Sequence, residues 1–337
     1  MAKKQIFITV LGIALFIFLS YAVLSRQKDD VVVLKLAHSL DITHPVHKAM
    51  EYMAKRVDEK SNGKMQVEIF PNEQLGNEKE SIEALQLGYL AMTKTSTSPM
   101  EGFVPMMKIF GIPYLFRDSE HFWKVANGPI GRELLLAGES RMLRGLCYYD
   151  AGARSFYAKK EIHSPDDLKK VEEKNQPQLK VRVQNSEMAI KLVQAMGGSP
   201  TPVPWGELYT ALEQGVVDAA ENNPPSFRTS RHYEICRYYI LDEHTRVPDM
   251  LVISTRVWNN LKPAFQQILQ EAADESVEYQ RKIWSEAEQA DIKTVEESGV
   301  TIIRPDKKLF QEAVKPIWKE FEGTEIGELI NKIQEVE

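Results

Sequence analysis

The sequence predicts an α/β protein of two lobes, with a ligand cleft between the lobes and one long helix that spans both. Three observations predict this fold class. The chain has 337 residues, 43% hydrophobic and 27% charged, a size that suits two hydrophobic cores better than one. Strand and helix patterns alternate from residue 31 onward, which favours sheets covered by helices. Residues 263–297 contain no Gly or Pro after the first position, so they predict a single helix on the order of 50 Å long.

The first thirty residues form a separate segment. An apolar run over residues 6–24 follows two lysines and is followed by a polar stretch at residues 26–30. This is the pattern of an export signal, and the run also reaches the lower length limit of a membrane-spanning helix. Cleavage after Ala22 and retention as an uncleaved membrane anchor are both open. In either case we expect the folded part to start near Val31, outside the cytoplasm.

The first lobe begins with two pairs of a strand and a helix. Residues 31–37 alternate and are β-branched, which predicts a buried strand, and His44 and Pro45 open an amphipathic helix. Residues 65–70 predict a second strand, and residues 78–87 predict a helix that the following glycine ends. Such alternation favours a mainly parallel sheet whose ligands lie beyond the carboxyl ends of its strands.

The chain is expected to cross into the second lobe at residues 152–154, after a short strand at residues 146–149. Ser164 followed by Pro165 is a strong helix start, and the polar residues 170–178 predict a surface excursion. Hydrophobic periodicity predicts the other elements, which are strands at 156–158, 179–183 and 216–220 and helices at 186–195 and 205–212.

Charge and cysteine content limit the function further. The formal net charge is -6 with the signs interspersed, so there is no basic stripe for a phosphate backbone and we expect no nucleic acid partner. The two cysteines, Cys147 and Cys236, form no disulfide framework. Two buried free thiols are the favoured interpretation because apolar and aromatic neighbours surround Cys147, and a disulfide between the two stays open.

Arg182 is the strongest candidate for a binding residue. It stands on a β-branched strand, where a planar guanidinium can hold a carboxylate through two parallel hydrogen bonds. A buried guanidinium is costly unless an acid neutralises it, so the alternative is a structural ion pair with Glu221 or Asp218. Arg154, just after the preceding strand, has the same two possibilities.

An amide and an aromatic residue accompany these arginines. Asn222 ends a strand and offers one acceptor and two donors to a polar ligand, although turn chemistry also explains an asparagine there. Trp205 can lay its ring on a sugar or an acyl chain, and its alternative is core packing at a helix start.

Three residues of the first lobe are further candidates. Glu78, His44 and Ser96 lie near predicted strand ends or helix starts, where helix N-termini favour anions. Each also has an ordinary structural explanation: a favourable helix dipole for Glu78, entry into a helix for His44 and a loop for Ser96.

Enzyme motifs are missing from the sequence. It contains no Gly-x-Ser-x-Gly, no phosphate-binding Walker loop, no Gly-x-Gly-x-x-Gly, no His-Glu-x-x-His and no Cys-x-x-Cys. We therefore predict no catalytic residue, no bound metal and no cofactor.

Six short motifs are distributed over the chain after residue 31. They are Gln-Leu-Gly at 74–76, Gly-Ile-Pro-Tyr-Leu-Phe at 111–116, Leu-Lys-Val-Arg-Val at 179–183, Gly-Ser-Pro-Thr-Pro at 198–202, Glu-Leu-Tyr-Thr-Ala-Leu-Glu-Gln-Gly at 207–215 and Val-Asp-Ala-Ala-Glu-Asn at 217–222. Together they resemble the DctP-type solute-binding subunit of tripartite ATP-independent periplasmic (TRAP) transporters, a family that captures organic acids for a sodium-coupled membrane permease.

The resemblance implies a fold, a location and partners. It implies a periplasmic-binding-protein fold whose two lobes close around the ligand by a hinge. The first lobe would comprise residues 31–151 plus 248–287, and the second residues 152–247 plus 288–337. The implied partners are a small organic acid and the membrane permease subunits, and we expect a periplasmic monomer.

The resemblance also implies roles for single residues of the second lobe. Arg182 matches the arginine that clamps the ligand carboxylate, and Arg154 matches a second polar or ionic contact. Asn222 matches the amide that steadies the carboxylate, and Trp205 the aromatic wall.

In the first lobe, Ser39, Glu78 and Ser96 match positions where other members read the rest of the ligand. Sialic acid binders carry an asparagine where Ser39 stands and an acidic residue where Ser96 stands, which argues against that ligand. Three segments are closer to the branch that binds uronates and related sugar acids, namely residues 44–47, 205–207 and 221–225.

Two other function classes stay open at this point. A secreted hydrolase or lyase of a sugar acid would use residues such as Glu78 and Asp218 as acid and base, and it would require turnover. A sensory ligand-binding protein would be held at the membrane by an uncleaved helix at residues 6–24.

Overall fold

The computed structural model describes residues 31–169 and 177–337 of the chain. The predicted export signal or anchor, and residues 170–176 of the predicted surface excursion, lie outside the described residues. Within the described ranges, none of the helices combines the length and apolar character of a transmembrane span.

A five-stranded sheet forms the centre of the first lobe. Its strands are β1 (Val32–Ala37), β2 (Met65–Phe70), β3 (Met92–Ser96), β4 (Leu143–Tyr149) and β10 (Asp249–Ser254), in the order β2-β1-β3-β10-β4. Strand β1 pairs in parallel with β2 and β3, whereas β10 pairs antiparallel with β3 and β4. We call this sheet and the helices packed on it the first lobe.

A six-stranded sheet forms the centre of the second lobe. Its strands are β5 (Arg154–Ala158), β6 (Lys180–Val183), β7 (Ser199–Pro202), β8 (Ala219–Asn222), β9 (Tyr238–Thr245) and β11 (Thr301–Ile303), in the order β11-β9-β5-β8-β6-β7. Strand β5 runs antiparallel to both of its neighbours, and the other pairs are parallel.

The α/β class is as predicted, but both sheets are mixed rather than mainly parallel. The chain leaves the first sheet after β4 and returns to it as β10, which inserts between β3 and β4 and runs against both. Consecutive strands joined by a helix run parallel, because the helix carries the chain back to the same end of the sheet. A strand that returns from another lobe can run in either direction.

Helices cover these sheets, and their ends carry recognisable capping residues. Helix α2 starts at a capping box formed by Asn77 and Glu80 and ends at Gly88, whose φ of 79° is left-handed. The α-helices are α1 (Pro45–Lys60), α2 (Glu78–Leu87), α3 (Thr97–Met100), α4 (Ser119–Asn127), α5 (Pro129–Leu136), α6 (Glu187–Ala195), α7 (Leu208–Glu213), α8 (Pro224–Thr229), α9 (Thr255–Asn260), α10 (Pro263–Glu297), α11 (Lys307–Glu320) and α12 (Glu325–Gln334). Short 3₁₀ turns lie at Pro105–Gly111, Glu139–Arg141, Pro165–Leu168, Trp205–Glu207 and His232–Glu234.

Helix α10 is the predicted long helix, and it contacts both lobes. In its first half, Glu275 accepts hydrogen bonds from Arg56 at 2.6 Å and Lys60 at 2.9 Å on α1. Near its end, Asp291 pairs with Arg228 on α8 of the second lobe. The helix is therefore a brace that is fixed to each lobe by charged side chains as well as by packing.

The middle of α10 holds the crossing between the lobes. The side chain of Gln280 accepts from the backbone N–H of Asp150 at 2.9 Å and donates to its carbonyl at 2.8 Å. Two residues later, Gly152 has a φ of 58°, and a Cβ there would lie 2.5 Å from the Glu288 Oε1 atom. The left-handed φ favours glycine at this point, and a Cβ would displace the Glu288 carboxylate.

Several local predictions were inaccurate, including the strands expected at 146–149 and 156–158, which begin at Leu143 and Arg154. Strand β8 begins at Ala219 rather than at residue 216, because the ladder starts where Ala219 faces Ala158 of β5, and Val216 is half exposed. The expected helix after Ser164 is only a 3₁₀ turn, since Lys169 returns to the extended conformation. The helix expected from Trp205 begins as a 3₁₀ turn and becomes α-helical at Leu208.

Both cysteines are free and buried, which confirms the favoured interpretation. Burial raises the pKa of the Cys236 thiol to about 12 and raises that of Cys147 further. Cys147 lies on β4 of the first lobe and Cys236 just before β9 of the second.

Candidate functional site

Two connected chambers lie between the lobes. The inner chamber is narrow and lined largely by polar side chains from both lobes, and the outer chamber has a volume of about 220 Å³. The two share four lining residues, which are Glu78, Arg182, Gln184 and Trp205. These four therefore mark the passage from one chamber to the other.

Arg182 lies on β6 and is only 2% exposed. Its Nε donates to the Val203 carbonyl at 2.9 Å, while its buried Nη1 has no hydrogen-bond partner within the described residues. The guanidinium carbon lies 5.5 Å from the centre of the Trp205 ring, within reach of a cation–π interaction. Burial lowers the pKa of Arg182, because a charge loses hydration energy there.

The predicted alternative for Arg182, an ion pair with Glu221 or Asp218, is not formed. Glu221 pairs with Arg154, and the Asp218 carboxylate accepts the backbone N–H of Lys180 at 3.0 Å. Among the described cations that line the inner chamber, Arg182 is thus the one without an ion pair.

Arg154 is held by its neighbours on β8. Its guanidinium makes an ion pair with Glu221, donates to the Glu221 carbonyl at 2.9 Å and donates to the Asn222 Oδ1 atom at 3.1 Å. Burial alone would raise the pKa of Glu221, but Arg154 and His244 together hold it at about 2. The Arg154 charge is therefore largely neutralised within the protein.

His244 extends this buried network. Its Nδ1 lies 2.7 Å from Asp242, and its Nε2 lies 3.5 Å from Glu221. Burial would lower the pKa of His244, but the two carboxylates raise it to about 9. The imidazole is consequently cationic at neutral pH.

Asn222 lies at the end of β8 and lines the inner chamber. Its Oδ1 is occupied by Arg154 and by the backbone N–H of Asn223 at 2.9 Å, and its carbonyl accepts the Tyr239 hydroxyl at 2.8 Å. Because the side-chain oxygen serves as acceptor, the amide nitrogen is the group that can donate to a ligand.

The first lobe contributes a buried lysine between two acids. Lys94 on β3 is 2% exposed, and its Nζ lies 3.1 Å from Asp249 and 3.5 Å from Glu78. Burial would lower the pKa of Lys94, but Asp249 and Glu78 raise it. Glu78 also accepts the backbone N–H of Ser96 at 2.9 Å.

Weak contacts cross the cleft between Glu78, Ser96 and Gln184. The Gln184 amide lies 3.4 Å from Glu78, and the Ser96 hydroxyl lies 3.4 Å from the Gln184 oxygen. Hydrogen bonds of this length are near the limit of the interaction, so polar ligand atoms can replace them at low cost.

The structure brings most predicted site residues together but leaves one outside. The inner chamber is lined by Arg182, Arg154, Asn222, Trp205, Glu78, Ser39 and Ser96. His44 is not among the residues lining either chamber. Its ring caps α1 through the Val46 N–H at 3.2 Å, and it lies 3.2 Å from the hydroxyl of Ser226, which does line the inner chamber.

Sequence reasoning missed Gln184 and Asp249. Gln184 follows Arg182 by two positions, so strand alternation places it on the same face, and that signal was available. Asp249 begins β10 and reaches the site only through pairing with β3 and β4, for which no local signal exists. No group of three or more His, Cys, Asp or Glu side chains within the described ranges is arranged to hold a metal ion.

Comparison with known proteins identifies the family. The model of the bacterial extracellular solute-binding protein, family 7 (DctP), matches residues 36–324. The chain belongs to this family. It is a solute-binding protein of the TRAP type, a class that binds small organic acids and works with membrane permease components.

Solved relatives share the fold along nearly the whole described chain. A TRAP periplasmic solute-binding protein from Bradyrhizobium sp. BTAi1, in complex with D-galacturonate, is 42% identical, with 89% of this chain and 99% of that chain covered and a TM-score of 0.85. A second from Pseudomonas putida F1, with bound D-glucuronate, is 32% identical, with 91% and 98% covered and a TM-score of 0.86. The 2,3-diketo-L-gulonate-binding periplasmic protein YiaO of Escherichia coli K12 is 30% identical over 283 residues, with 83% of this chain and 84% of YiaO covered.

Proposed function

We propose that this protein binds a sugar acid of the uronate class with high affinity in the periplasm and delivers it, as a monomer, to sodium-coupled TRAP permease subunits. It catalyses no reaction. The observation that carries this proposal is Arg182, a buried guanidinium whose Nη1 has no protein partner within the described residues and which lines both chambers.

The carboxylate end of the ligand is assigned to Arg182 and Asn222. Arg154 is already neutralised by Glu221, so a bound carboxylate meets one unpaired cation rather than two. The carboxylate accepts a hydrogen bond from the unpaired guanidinium nitrogen of Arg182, and the Asn222 amide provides a second donor. Charge-assisted hydrogen bonds of this kind are about twice as strong as neutral ones.

The hydroxyl end is assigned to the first lobe. Glu78, Lys94 and Asp249 form a compensated charge cluster, and Ser39 and Ser96 lie beside it. Carboxylates accept from hydroxyls, and the lysine and serines donate to them. Such a mixed surface suits a polyhydroxylated acid better than an apolar one.

The relatives support the same ligand class. The Bradyrhizobium and Pseudomonas proteins were solved with uronates, and both cover this chain almost completely. The cleft contacts of Gln184 with Glu78 and Ser96 support closure of the lobes around the ligand, because they join side chains of the two sheets.

The enzyme alternative receives no support from the geometry. Its acid and base were Glu78 and Asp218, but Asp218 lines neither chamber and its carboxylate accepts a backbone N–H. If the protein only binds, mass spectrometry of D-galacturonate incubated with it recovers the acid unchanged. Detection of a converted product would show that the protein is an enzyme.

The clamp is tested with two substitutions at Arg182. We expect Arg182→Ala to weaken binding of D-galacturonate or D-glucuronate by about 30-fold to several thousand-fold, since losing one side of a desolvated charge pair costs about 2–5 kcal/mol. Arg182→Lys keeps the charge but lacks the fork for two parallel hydrogen bonds, so we expect an intermediate loss. Isothermal titration calorimetry measures both.

Arg304→Ala, at an exposed arginine of the same lobe, is the matched control and should bind like wild type. Circular dichroism establishes that each variant is folded. A folded Arg182→Ala protein with near-wild-type affinity contradicts the clamp. A thermal-shift screen that finds no stabilisation by uronates, aldonates, keto acids, dicarboxylates or sialic acid contradicts the ligand class as a whole.

A further inference from the structure

A single carboxylate bridges the two lobes at the outer chamber. Glu73 lies in the first lobe, in the loop between β2 and α2, and its Oε2 accepts the backbone N–H of Gly206 in the second lobe at 3.2 Å. Gly206 belongs to the 3₁₀ turn that carries Trp205. Glu73 thus contacts the turn that places the aromatic ring beside Arg182.

The loop around Glu73 is held in an unusual conformation. Asn72 and Glu73 both have left-handed backbone angles, with φ of 54° and 57°, which non-glycine residues adopt at an energetic cost. Hydrogen bonds to the loop after β1 maintain this conformation, from Asn72 N–H to the Leu40 carbonyl at 3.2 Å and from Glu73 N–H to the His38 carbonyl at 3.0 Å. The side chain is therefore presented toward the other lobe by a fixed backbone.

Gly206, whose N–H donates to Glu73, lies close to the carboxylate. A Cβ atom on Gly206 would lie 2.5 Å from the Glu73 Oε2 atom, well inside van der Waals contact. Any side chain at residue 206 would push the two lobes apart at this point or displace the carboxylate.

The second oxygen of Glu73 has a different environment. Its Oε1 is buried, and it has no hydrogen-bond partner within the described part of the chain. Burial and the nearby Glu78 raise the pKa of Glu73, although Gly206 and Arg182 act in the opposite direction. A buried acceptor without a donor costs about 1–3 kcal/mol, so closure of this contact is unfavourable until a donor arrives.

We propose that Glu73 is a latch that makes cleft closure depend on ligand hydroxyls: Oε2 accepts the Gly206 N–H across the cleft, and Oε1 accepts a hydrogen bond from a ligand hydroxyl that lies in the outer chamber. The latch keeps Trp205 in place and slows ligand release. Glu73 is in this sense a positioning residue that also reads the ligand. The proposal rests on the sugar-acid function proposed above.

The latch is tested by a double-mutant cycle at its two ends. The variants are Glu73→Ala, Gly206→Ala and the double variant, with stopped-flow release of D-galacturonate as the measurement. We expect each single substitution to accelerate release at least tenfold. Truncating Glu73 removes the atom that the new methyl would meet, so adding Gly206→Ala to Glu73→Ala should change release less than twofold.

Two further variants separate the latch from general damage. Glu73→Gln retains one side-chain oxygen for the Gly206 N–H but replaces the second oxygen with an NH2 group that cannot accept a hydrogen bond. It should therefore release the ligand faster than wild type but more slowly than Glu73→Ala. Glu83→Ala, at an exposed acid on α2, should behave like wild type. The melting temperature of each unliganded variant should stay within about 2 °C of wild type, because the contact acts on closure.

Two results would overturn the latch: wild-type release from Glu73→Ala, or additive effects in the double variant. The hydroxyl assignment is tested with D-glycerate, a shorter acid that keeps the carboxylate for Arg182 but lacks most of the hydroxyls of a uronate. Glu73→Ala should weaken D-galacturonate more than D-glycerate, and equal fold-changes overturn the role of Oε1. Failure of the wild-type protein to bind any sugar acid is a separate result that overturns the proposed function itself.

Discussion

His244 makes the stability of this protein depend on pH above neutrality. Its pKa in the folded protein is raised from 6.5 to about 9 by Asp242 and Glu221, against the effect of burial. The folded state therefore binds more protons than the unfolded state between these two pH values. The stabilisation is fully present below pH 6.5 and is lost as the pH rises through 9.

The size of the effect follows from the same two values. A difference of about 2.5 pH units, at ~1.36 kcal/mol per unit, gives about 3 kcal/mol of unfolding free energy. This is a substantial part of the ~5–15 kcal/mol typical of folded proteins. Glu221 lies beside both His244, at 3.5 Å, and Arg154, so deprotonation of His244 removes one of the two cations next to this carboxylate.

The assay is urea denaturation of wild type and His244→Gln from pH 6 to pH 9.5. Glutamine cannot take up the proton, so the advantage of wild type over His244→Gln should shrink by about 3 kcal/mol across this window. His163→Gln, at an exposed histidine, is the control and should leave the pH profile of wild type unchanged. A constant difference between wild type and His244→Gln over the whole range would refute the reasoning.

Two further predictions concern buried positions. Cys147 and Cys236 are buried and have raised pKa values, so Ellman's reagent should label neither in the native protein at pH 8 and both after unfolding in urea; rapid native labelling would contradict this. Gly152→Ala should lower the melting temperature by several degrees, because it adds a side chain at a left-handed φ and 2.5 Å from Glu288; a melting temperature equal to that of wild type would show that the crossing can adjust.

The two helices with the clearest local signals, α2 and α10, were predicted at their observed bounds. Helix α2 was bounded correctly because the residues that cap it are adjacent in sequence, and α10 because no residue inside it interrupts a helix. Strand β8 was misplaced by three residues, since its start depends on pairing with β5, which lies 61 residues earlier at the facing Ala158. Periodicity cannot locate such a pairing.

The site residues also divide into those that a local sequence signal indicates and those that depend on long-range pairing. Arg182 could be selected from its strand alone, and Gln184 could have been selected from the same alternation. That Glu221 would neutralise Arg154 rather than Arg182 is a matter of register, because the β5 and β8 ladder places Ser155 opposite Asn222 and Phe156 opposite Glu221. The contact between Glu73 and Gly206 joins loops of different lobes, and nothing in either loop alone indicates the other.

The two buried thiols have a practical consequence for measuring this protein. Because neither lobe exposes a native cysteine, a single cysteine introduced at Tyr89 of the first lobe, which is 83% exposed, or at Val216 of the second, which is 50% exposed, can carry a dye without background labelling. A donor and acceptor pair at these two positions turns the separation of the lobes into an optical signal. The wild-type chain is in this respect already a suitable scaffold for a fluorescent sensor of its ligand.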